Sequence, residues 1–315
     1  AEDVIRDSSV TGVQTCALPI WVRCVNIPMN TTELIDAGNQ HRSNNEPERA
    51  LQCYAMAFVQ DPDCAAAFNN YGNVMRECGH PVRAIPFLQH AALLDPKNIT
   101  AQFNLAVSYL LSGDYQRGWP AYEARWSYEH LAGTEPKFGQ PRWRGEDIRD
   151  RTILVVGEQG HGDCIQFVRF IYNLHLLGAK IKLQVTDGLI PLLNTSDIMQ
   201  WVGGYDADPG DFDYWVPIMS LPGILGITLE NLPNPVSYLN ASTELTKTWL
   251  ETLGPKTKMR VGISWSGRRD SWLNQHKGMP FDKTLELIRS NPQYEWYNLQ
   301  IDATERSEEH TSELQ

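Results

Sequence analysis

The segment ALQCYAMAFVQDP at residues 50–62 recurs in outline as AIPFLQHAALLDP at residues 84–96. The two segments lie 34 residues apart, and both begin with Ala and end with Asp-Pro. Ahead of each segment stands a glycine, Gly38 or Gly72, with the same spacing. Small residues allow two helices to pack closely, and proline stops a helix. The pattern therefore predicts a repeat built from paired helices.

A third unit begins near Ile99 and carries Ala106 and Tyr109 at the expected places, but it has Gly118 where the other units have Ala. This pattern resembles the tetratricopeptide repeat (TPR), a helix–turn–helix of 34 residues. The resemblance covers residues 29–130 and implies about three units, the last an atypical cap. It also implies a groove that takes a peptide or protein partner, or a module that only packs on its neighbour.

Beyond a loop-like stretch at residues 131–150, short β-runs alternate with helical segments. Such alternation indicates a parallel sheet with right-handed crossovers. We expect a Rossmann-like domain at residues 151–258 and part of a second one at residues 259–305. The predicted strands cover residues 153–156, 181–185, 214–219, 261–265 and 296–299, and the predicted helices cover residues 164–177, 189–193, 243–253 and 283–288.

The loop GEQGHGD at residues 157–163 follows the first predicted strand, where open parallel sheets bind ligands. Its glycines allow close approach of a ligand, and the next helix offers free N–H groups. The loop has neither the Walker nor the dinucleotide-binding spacing. Asp163 is either a helix cap or a general base that takes a proton from a sugar hydroxyl. Glu158 and His161 bind substrate or are solvated loop charges.

Several further motifs accompany this loop. They are GW at 118–119, YE at 122–123, RW at 125–126, WRG at 143–145, IQFVRF at 165–170, SLP at 220–222, Pro235 with YL at 238–239, and VGISWSG at 261–267. Together with the loop they resemble a bacterial arrangement in which TPR repeats are fused to a glycosyltransferase of the ADP-heptose:lipopolysaccharide heptosyltransferase-like group. The resemblance covers roughly residues 30–300.

This resemblance implies the GT-B architecture, in which an N-terminal Rossmann-like domain takes the acceptor and a C-terminal one takes a nucleotide-sugar donor. The acceptor is a glycan, a lipid or a protein, and no metal or other cofactor is expected. The implied catalytic base is Asp163. The implied substrate-binding residues are Glu158, Gln159, Gly160, His161, Gly162 and Gln166. The implied donor-phosphate-binding residues are Ser266, Gly267 and Lys277, with Arg268 and Arg269 as alternatives to Lys277.

The composition excludes some other classes of function. The 315 residues include 27 Lys and Arg against 38 Asp and Glu, so the net charge is −11. That charge disfavours nucleic acid or an anionic membrane as the main partner. No apolar run reaches the roughly 20 residues of a membrane helix. None of the six cysteines forms a C-x-x-C pair, which disfavours a zinc site and favours free thiols in the cytoplasm.

The two ends, residues 1–20 and 306–315, resemble translated sequencing-adapter read-through, and we expect them to lie outside the fold. Between residue 259 and the tail, the second domain has only a strand, a helix and a strand. Two strands offer too little apolar area for a stable domain. The sequence therefore predicts a truncated donor domain and a chain that transfers nothing.

Two alternatives remain open. In one, the protein is a scaffold whose repeats recruit a partner and whose α/β domain is not catalytic, with Asp163 only a helix cap. In the other, it is a protein O-linked sugar transferase, a class that also joins these repeats to a GT-B fold, and the repeats thread a peptide acceptor.

Overall fold

A computed structural model describes residues 29–129, 131–233, 237–266 and 278–300. The described residues form two compact units, one ending at Asn240 and one beginning at Ala241. The predicted end segments, 1–20 and 306–315, lie outside the described residues, as does the link at 267–277.

Three helix pairs open the first unit. They are α1 (Thr31–Ser43) with α2 (Pro47–Gln60), α3 (Ala65–Glu77) with α4 (Pro81–Leu94), and α5 (Ile99–Leu111) with α6 (Tyr115–Tyr122). Two glycines explain the close packing within the first two pairs. A Cβ at Gly38 would lie 2.5 Å from the Tyr54 ring, and one at Gly72 would lie 2.7 Å from Leu88 Cγ. Helix pairs at a 34-residue period are TPR repeats, as the sequence predicts.

The third pair departs from the first two. Helix α6 spans eight residues, contains Pro120 and continues into a 3-10 turn at Glu123–Ser127. A Cβ at Gly118 would lie 2.6 Å from Leu110 Cδ2, so this glycine lets α6 pack closely against α5. Ala106 and Tyr122 from this pair belong to the same buried core as the sheet that follows. The last repeat is therefore built into the α/β fold.

The sheet of the first unit is parallel, with strand order β3-β2-β1-β4. Its strands are β1 (Thr152–Val156), β2 (Lys180–Gln184), β3 (Met199–Gly203) and β4 (Tyr214–Pro217). Strands β1 and β2 bury their apolar residues almost completely, as the short apolar runs in the sequence indicate. The edge strand β3 is missing from the sequence-based expectation, because the segment MQWVG has no alternation and is only partly buried.

Short helices connect these strands. They are α7 (His161–Phe167), α8 (Ile171–Leu176), α9 (Ile190–Leu193) and α10 (Leu221–Ile224). The helix expected at 164–177 begins earlier, at His161, and is interrupted by a 3-10 turn at Val168–Phe170. Gly178, with φ of +84°, follows α8 in the left-handed conformation that commonly ends helices.

The stretch at residues 131–150, expected to be a linker, contains neither helix nor strand, but it is firmly packed. Trp143 and Ile148 are 2% and 1% exposed. Main-chain bonds join Trp143 N to Trp215 O and Trp215 N to Pro141 O along the outer edge of β4. These contacts make the stretch part of the first unit.

The second unit contains α11 (Thr243–Leu253), β5 (Met259–Ile263), α12 (Phe281–Arg289) and β6 (Tyr294–Asn298), and β5 pairs with β6 in parallel. This compact unit begins at Ala241, ahead of the domain boundary that the sequence predicts at 258/259. Arg260 Nη2 donates to the carbonyls of Leu253 and Gly254 and so connects the end of α11 to β5. Among the helices described, none is long and apolar enough to cross a membrane.

Candidate functional site

The predicted loop at residues 157–163 lies at the carboxyl end of β1 and runs into α7. Gly157 is buried where the loop leaves the sheet. A Cβ there would lie 3.0 Å from both Cys164 Sγ and Val185 Cγ1, so a larger residue would force these side chains to shift. The Tyr205 hydroxyl donates to the Gly157 carbonyl at 2.9 Å, and burial raises the pKa of Tyr205 to about 12. The loop is therefore fixed at its root.

Glu158 points into the protein, and its carboxylate is already occupied. Arg125 Nε donates to Oε2 at 2.8 Å and Arg125 Nη2 donates to Oε1 at 3.0 Å. The Met219 main-chain N–H donates to Oε1 at 3.0 Å. The Glu158 side chain is 9% exposed. The Glu158 carboxylate therefore joins the last repeat to the sheet, and a substrate-binding role for Glu158 stays a prediction.

Arg125 is the centre of a larger buried network. Its side chain is fully buried, and it also donates to Glu123 Oε1 and to Ser220 Oγ, both at 2.8 Å. Arg142 donates to Glu123 Oε2 at 2.5 Å and to Ser220 Oγ at 3.0 Å. Ser220 in turn donates to Glu123 Oε1 at 2.7 Å. Two guanidinium groups thus connect the end of the repeats with the loop after β4.

The charges of this network stabilise one another. Burial by itself lowers the pKa of Arg125, but the hydrogen bonds and charges of Glu158 and Glu123 outweigh burial and leave that pKa raised. Burial likewise opposes ionisation of Glu123, yet the charge of Arg125 and its hydrogen bond outweigh burial and lower the Glu123 pKa. Both groups are therefore ionised at neutral pH.

Gln159 is the next residue of the loop and is held by the last repeat. Its backbone has φ of +62°, in the left-handed region that residues other than glycine rarely adopt. Its Nε2 donates to the Tyr122 hydroxyl at 2.9 Å. Burial raises the pKa of Tyr122, so the phenol is neutral and can accept this bond. A strained position supported from outside is typical of functional loops.

Asp163 caps α7 from the first turn of the helix, whereas one of its two sequence interpretations places it at the N-cap position, which Gly160 occupies. Its Oδ2 accepts a hydrogen bond from the Gly160 N–H at 3.0 Å. The described residues provide no hydrogen bond to its other carboxylate oxygen, and the side chain is partly exposed. A cap that uses one oxygen leaves the second free to accept a proton, so the two interpretations remain compatible.

The other predicted substrate-binding residues lie on the surface of this loop and of α7. Gly160, His161, Gly162 and Gln166 are all exposed. A Cβ at Gly162 would meet only open space, and the His161 ring lies beside Gly188. The structure thus brings the predicted residues around Asp163 together, apart from the inward-pointing Glu158.

In the second unit, one side-chain oxygen, Gln300 Oε1, accepts three hydrogen bonds from the residues that follow β5. Gln300 Oε1 accepts from Ser264 Oγ at 3.1 Å, from the Trp265 N–H at 3.2 Å and from the Ser266 N–H at 3.0 Å. The predicted donor-phosphate residues Gly267 and Lys277 lie outside the described residues. In the described part of the chain, no cluster of His, Cys, Asp or Glu is arranged to hold a metal ion.

The repeats carry a second polar surface, here called the inner face, where the first helices of successive pairs meet. A row of side-chain amides runs across it. Asn70 Nδ2 donates to Asn39 Oδ1 at 3.2 Å, Asn69 Nδ2 donates to Asn70 Oδ1 at 3.1 Å, and Asn104 Nδ2 donates to Asn69 Oδ1 at 3.0 Å. Within this row, Asn69 and Asn104 are buried.

Beside this row, two guanidinium groups lie near one carboxylate, but only Arg42 forms hydrogen bonds with it. Arg42 makes a bidentate pair with Glu77, at 2.9 and 2.5 Å. Arg76 comes no closer than 3.9 Å to Glu77, and its Nη2 donates to Asn73 Oδ1 instead. Arg76 Nε is buried and has no hydrogen-bond partner in the described part of the chain. Burial lowers the pKa of Arg76. The inner face therefore has an excess of positive charge at this point.

The sequence did not predict the buried network around Arg125, nor the two arginines of the inner face, Arg42 and Arg76. Arg125 and Ser220 stood within quoted motifs, but no local spacing shows that they meet, since they are far apart in the chain. The inner-face residues had a usable signal, because the 34-residue period places Arg42 and Arg76 at equivalent positions.

One curated protein is similar to this chain over most of its length. No family model matches the chain. Protein FlbA of Caulobacter vibrioides is 24% identical over an alignment that covers 82% of this chain and 53% of FlbA. The chain thus spans about half the length of this curated relative, and at this identity the match does not assign a family.

Several solved structures that are similar to part of this chain are TPR domains. The Sgt2 TPR domain of Aspergillus fumigatus is 23% identical, with a TM-score of 0.29, and covers 30% of this chain and 62% of that domain. MamA is 24% identical, with a TM-score of 0.31, and covers 33% of this chain and 60% of MamA. The second TPR of Spaghetti (RPAP3), bound to an HSP90 peptide, is 20% identical, with a TM-score of 0.30, and covers 30% of this chain and 89% of that chain. Because these scores are low, the repeat assignment rests on the period and the helix pairs of this chain.

Proposed function

We propose that the inner face of the repeats binds a peptide segment of a partner protein, and that this segment carries a carboxylate. The observation that carries the proposal is Arg76, a largely buried cation. Among the described residues its Nε has no acceptor, and the carboxylate beside it, Glu77, is bound by Arg42. A ligand carboxylate would supply the missing acceptor in a charge-assisted hydrogen bond. The neighbouring amides, Asn39 and Asn70, can pair with the main chain of an extended peptide.

A selection from a displayed peptide library, followed by fluorescence anisotropy with the whole chain, tests this proposal. We expect the enriched peptides to contain Asp, Glu or a free C-terminus, and to lose most of their affinity for the Arg76→Met variant. Arg49→Met is the matched control, because Arg49 is 65% exposed and lies on α2, away from the inner face. Enrichment of peptides without any carboxylate, or equal binding by both variants, would contradict the proposal.

A second function is supported by a different observation, an Asp163 carboxylate oxygen that accepts no hydrogen bond from the described residues, in an exposed, glycine-rich loop at the carboxyl end of β1. We propose that this loop is the acceptor side of a glycosyltransferase of GT-B type, with Asp163 as general base. A carboxylate held by a cap on one oxygen can take a proton from an acceptor hydroxyl with the other. The donor would be a nucleotide sugar bound at the residues after β5.

Sugar transfer by the full-length protein, followed with a radiolabelled nucleotide sugar, tests the second proposal. Asp163→Asn keeps an oxygen that can accept from the Gly160 N–H, so the fold should persist while transfer falls by about 10²-fold or more. Asp147→Asn, at a side chain that is 69% exposed, is the control and should transfer normally. Equal transfer by Asp163→Asn and the wild type would mean that Asp163 only caps the helix and is not the general base.

A further inference from the structure

The end of the repeats holds two consecutive residues of the loop at residues 157–163. Arg125, in the 3-10 turn after α6, makes a bidentate ion pair with Glu158. Tyr122, the last residue of α6, accepts a hydrogen bond from Gln159 Nε2 at 2.9 Å. The first contact anchors a side chain that points into the protein. The second contact supports a residue whose backbone is strained, so the two contacts differ in what they do for the loop.

Gln159 is the residue at which the loop turns into α7. Its φ of +62° lies in the left-handed region, which is unfavourable for residues other than glycine. The next residue, Gly160, is the N-cap of α7, and its N–H donates to Asp163 Oδ2 at 3.0 Å. The backbone torsions of Gln159 orient the peptide group that contains this N–H. A relaxation of Gln159 to a negative φ would therefore turn the Gly160 N–H away from Asp163.

The Tyr122 hydroxyl is fixed in place by its surroundings. The residue is buried, and its ring packs edge-on to Trp119 and beside Phe103, with ring centres 6.4 and 5.6 Å apart. Burial is the main reason that the pKa of Tyr122 is raised, and the negative charge of Asp163 also acts to raise it. The phenol therefore lies close enough to Asp163 to feel its charge, while its oxygen holds the Gln159 side chain.

We propose that Tyr122 is a positioning residue for Asp163. Its hydroxyl holds the residue before Gly160 in the left-handed conformation, which keeps the Gly160 N–H on one Asp163 oxygen and leaves the second oxygen for the acceptor hydroxyl. This inference rests on the proposed glycosyltransferase function, in which Asp163 is the general base. The last repeat then serves the transfer reaction itself, in addition to any partner that the repeats bind.

The first measurement is the exchange of the Gly160 amide proton with water, followed by NMR on the whole chain. Tyr122→Phe removes only the hydroxyl, and we expect it to speed this exchange by about fivefold, the factor that one hydrogen bond of ordinary net strength supplies. Tyr109→Phe is the matched control, because the buried Tyr109 on α5 also accepts a hydrogen bond from a glutamine, Gln89 Nε2, at 2.7 Å. The control should leave Gly160 exchange unchanged, and an equally unchanged rate in Tyr122→Phe would overturn the proposal.

The second measurement is sugar transfer by the full-length protein. A displaced base slows the chemical step, so Tyr122→Phe should lower kcat by about tenfold or more and leave the KM for the acceptor unchanged. Tyr109→Phe should transfer normally. A wild-type kcat in Tyr122→Phe, together with loss of transfer in Asp163→Asn, would overturn the positioning role alone. Wild-type transfer in both Tyr122→Phe and Asp163→Asn would overturn the glycosyltransferase proposal as well.

A rescue variant tests whether Tyr122 acts through the backbone of Gln159. Asparagine adopts the left-handed conformation more readily than most residues other than glycine, but its side chain is one carbon shorter than that of glutamine. In Tyr122→Phe/Gln159→Asn we therefore expect the Gly160 exchange rate and kcat to return part of the way to the wild-type values. Values no better than those of Tyr122→Phe alone would contradict a route through the Gln159 backbone.

Discussion

Replacing Arg125 by methionine should strongly destabilise the first unit. Arg125 is fully buried and is the only side chain that donates to Glu158 among the described residues. Without it, Glu158 stays buried with one main-chain donor, the Met219 N–H. Glu123 suffers less, because Arg142 and Ser220 still bind it. Removing one partner of a buried ion pair costs about 3–5 kcal/mol, mainly from the charge left behind, so we expect a loss in that range.

Urea unfolding followed by tryptophan fluorescence measures this loss, and an exposed ion pair supplies the control. Arg151 lies 3.3 Å from Asp213, and the two side chains are 60% and 39% exposed. Arg151→Met should therefore change the free energy of unfolding by less than about 1 kcal/mol. If Arg125→Met were as stable as Arg151→Met, the claim that the buried Arg125–Glu158 pair stabilises the first unit would be wrong.

The double variant Arg125→Met/Glu158→Met distinguishes the loss of the Arg125–Glu158 attraction from the cost of burying an unpaired Glu158 carboxylate. If the cost comes mainly from the uncompensated carboxylate, removing that carboxylate should restore part of the stability. The double variant should then be more stable than Arg125→Met alone. A double variant less stable than the single one would mean that Glu158 is stabilised by contacts other than Arg125.

Three further predictions concern single positions. Gly72→Ala should cost about 1–3 kcal/mol in thermal unfolding, because its Cβ would lie 2.7 Å from Leu88 Cγ, and a wild-type melting temperature would contradict the close helix contact. Gly162→Ala should leave stability unchanged or raise it by up to about 1 kcal/mol, since its Cβ meets open space in a helix, so any loss of sugar transfer in this variant would reflect contact with an acceptor. Burial raises the pKa of Tyr54 to about 12 from an unfolded value of about 10, so the stability from its neutral phenol is complete below pH 10 and is lost as the pH rises towards 12. In the Tyr54→Phe variant, the free energy of unfolding should therefore depend less on pH between those two values. A pH dependence equal to that of the wild type would mean that Tyr54 does not cause it.

Local patterns predict the parts of this fold whose causes are local. The 34-residue period locates the helix pairs, and apolar runs locate β1 and β2 within a residue. The expected helix at residues 243–253 is observed with the same bounds, because Ser242 caps it and Gly254 ends it. Strand β3 is not predicted, because an edge strand is only partly buried and so needs few apolar residues in its sequence.

The candidate site is less predictable, because its causes are distant in sequence. The loop glycines and Asp163 are visible as a motif at residues 157–163, and their position after β1 follows from the parallel sheet. The role of Glu158 is not visible, since a glutamate beside glycines looks the same whether it faces solvent or Arg125. Only the packing of the last repeat against the sheet decides that question.

The most direct test of the proposed partner binding is a double-mutant cycle between Arg76 and the carboxylate of one selected peptide. The affinities of the wild type and of Arg76→Met are measured for that peptide and for its counterpart with the carboxylate changed to an amide. If Arg76 receives the carboxylate, the two changes should be coupled by about 1–3 kcal/mol. Strictly additive losses would contradict the proposed role of the inner face.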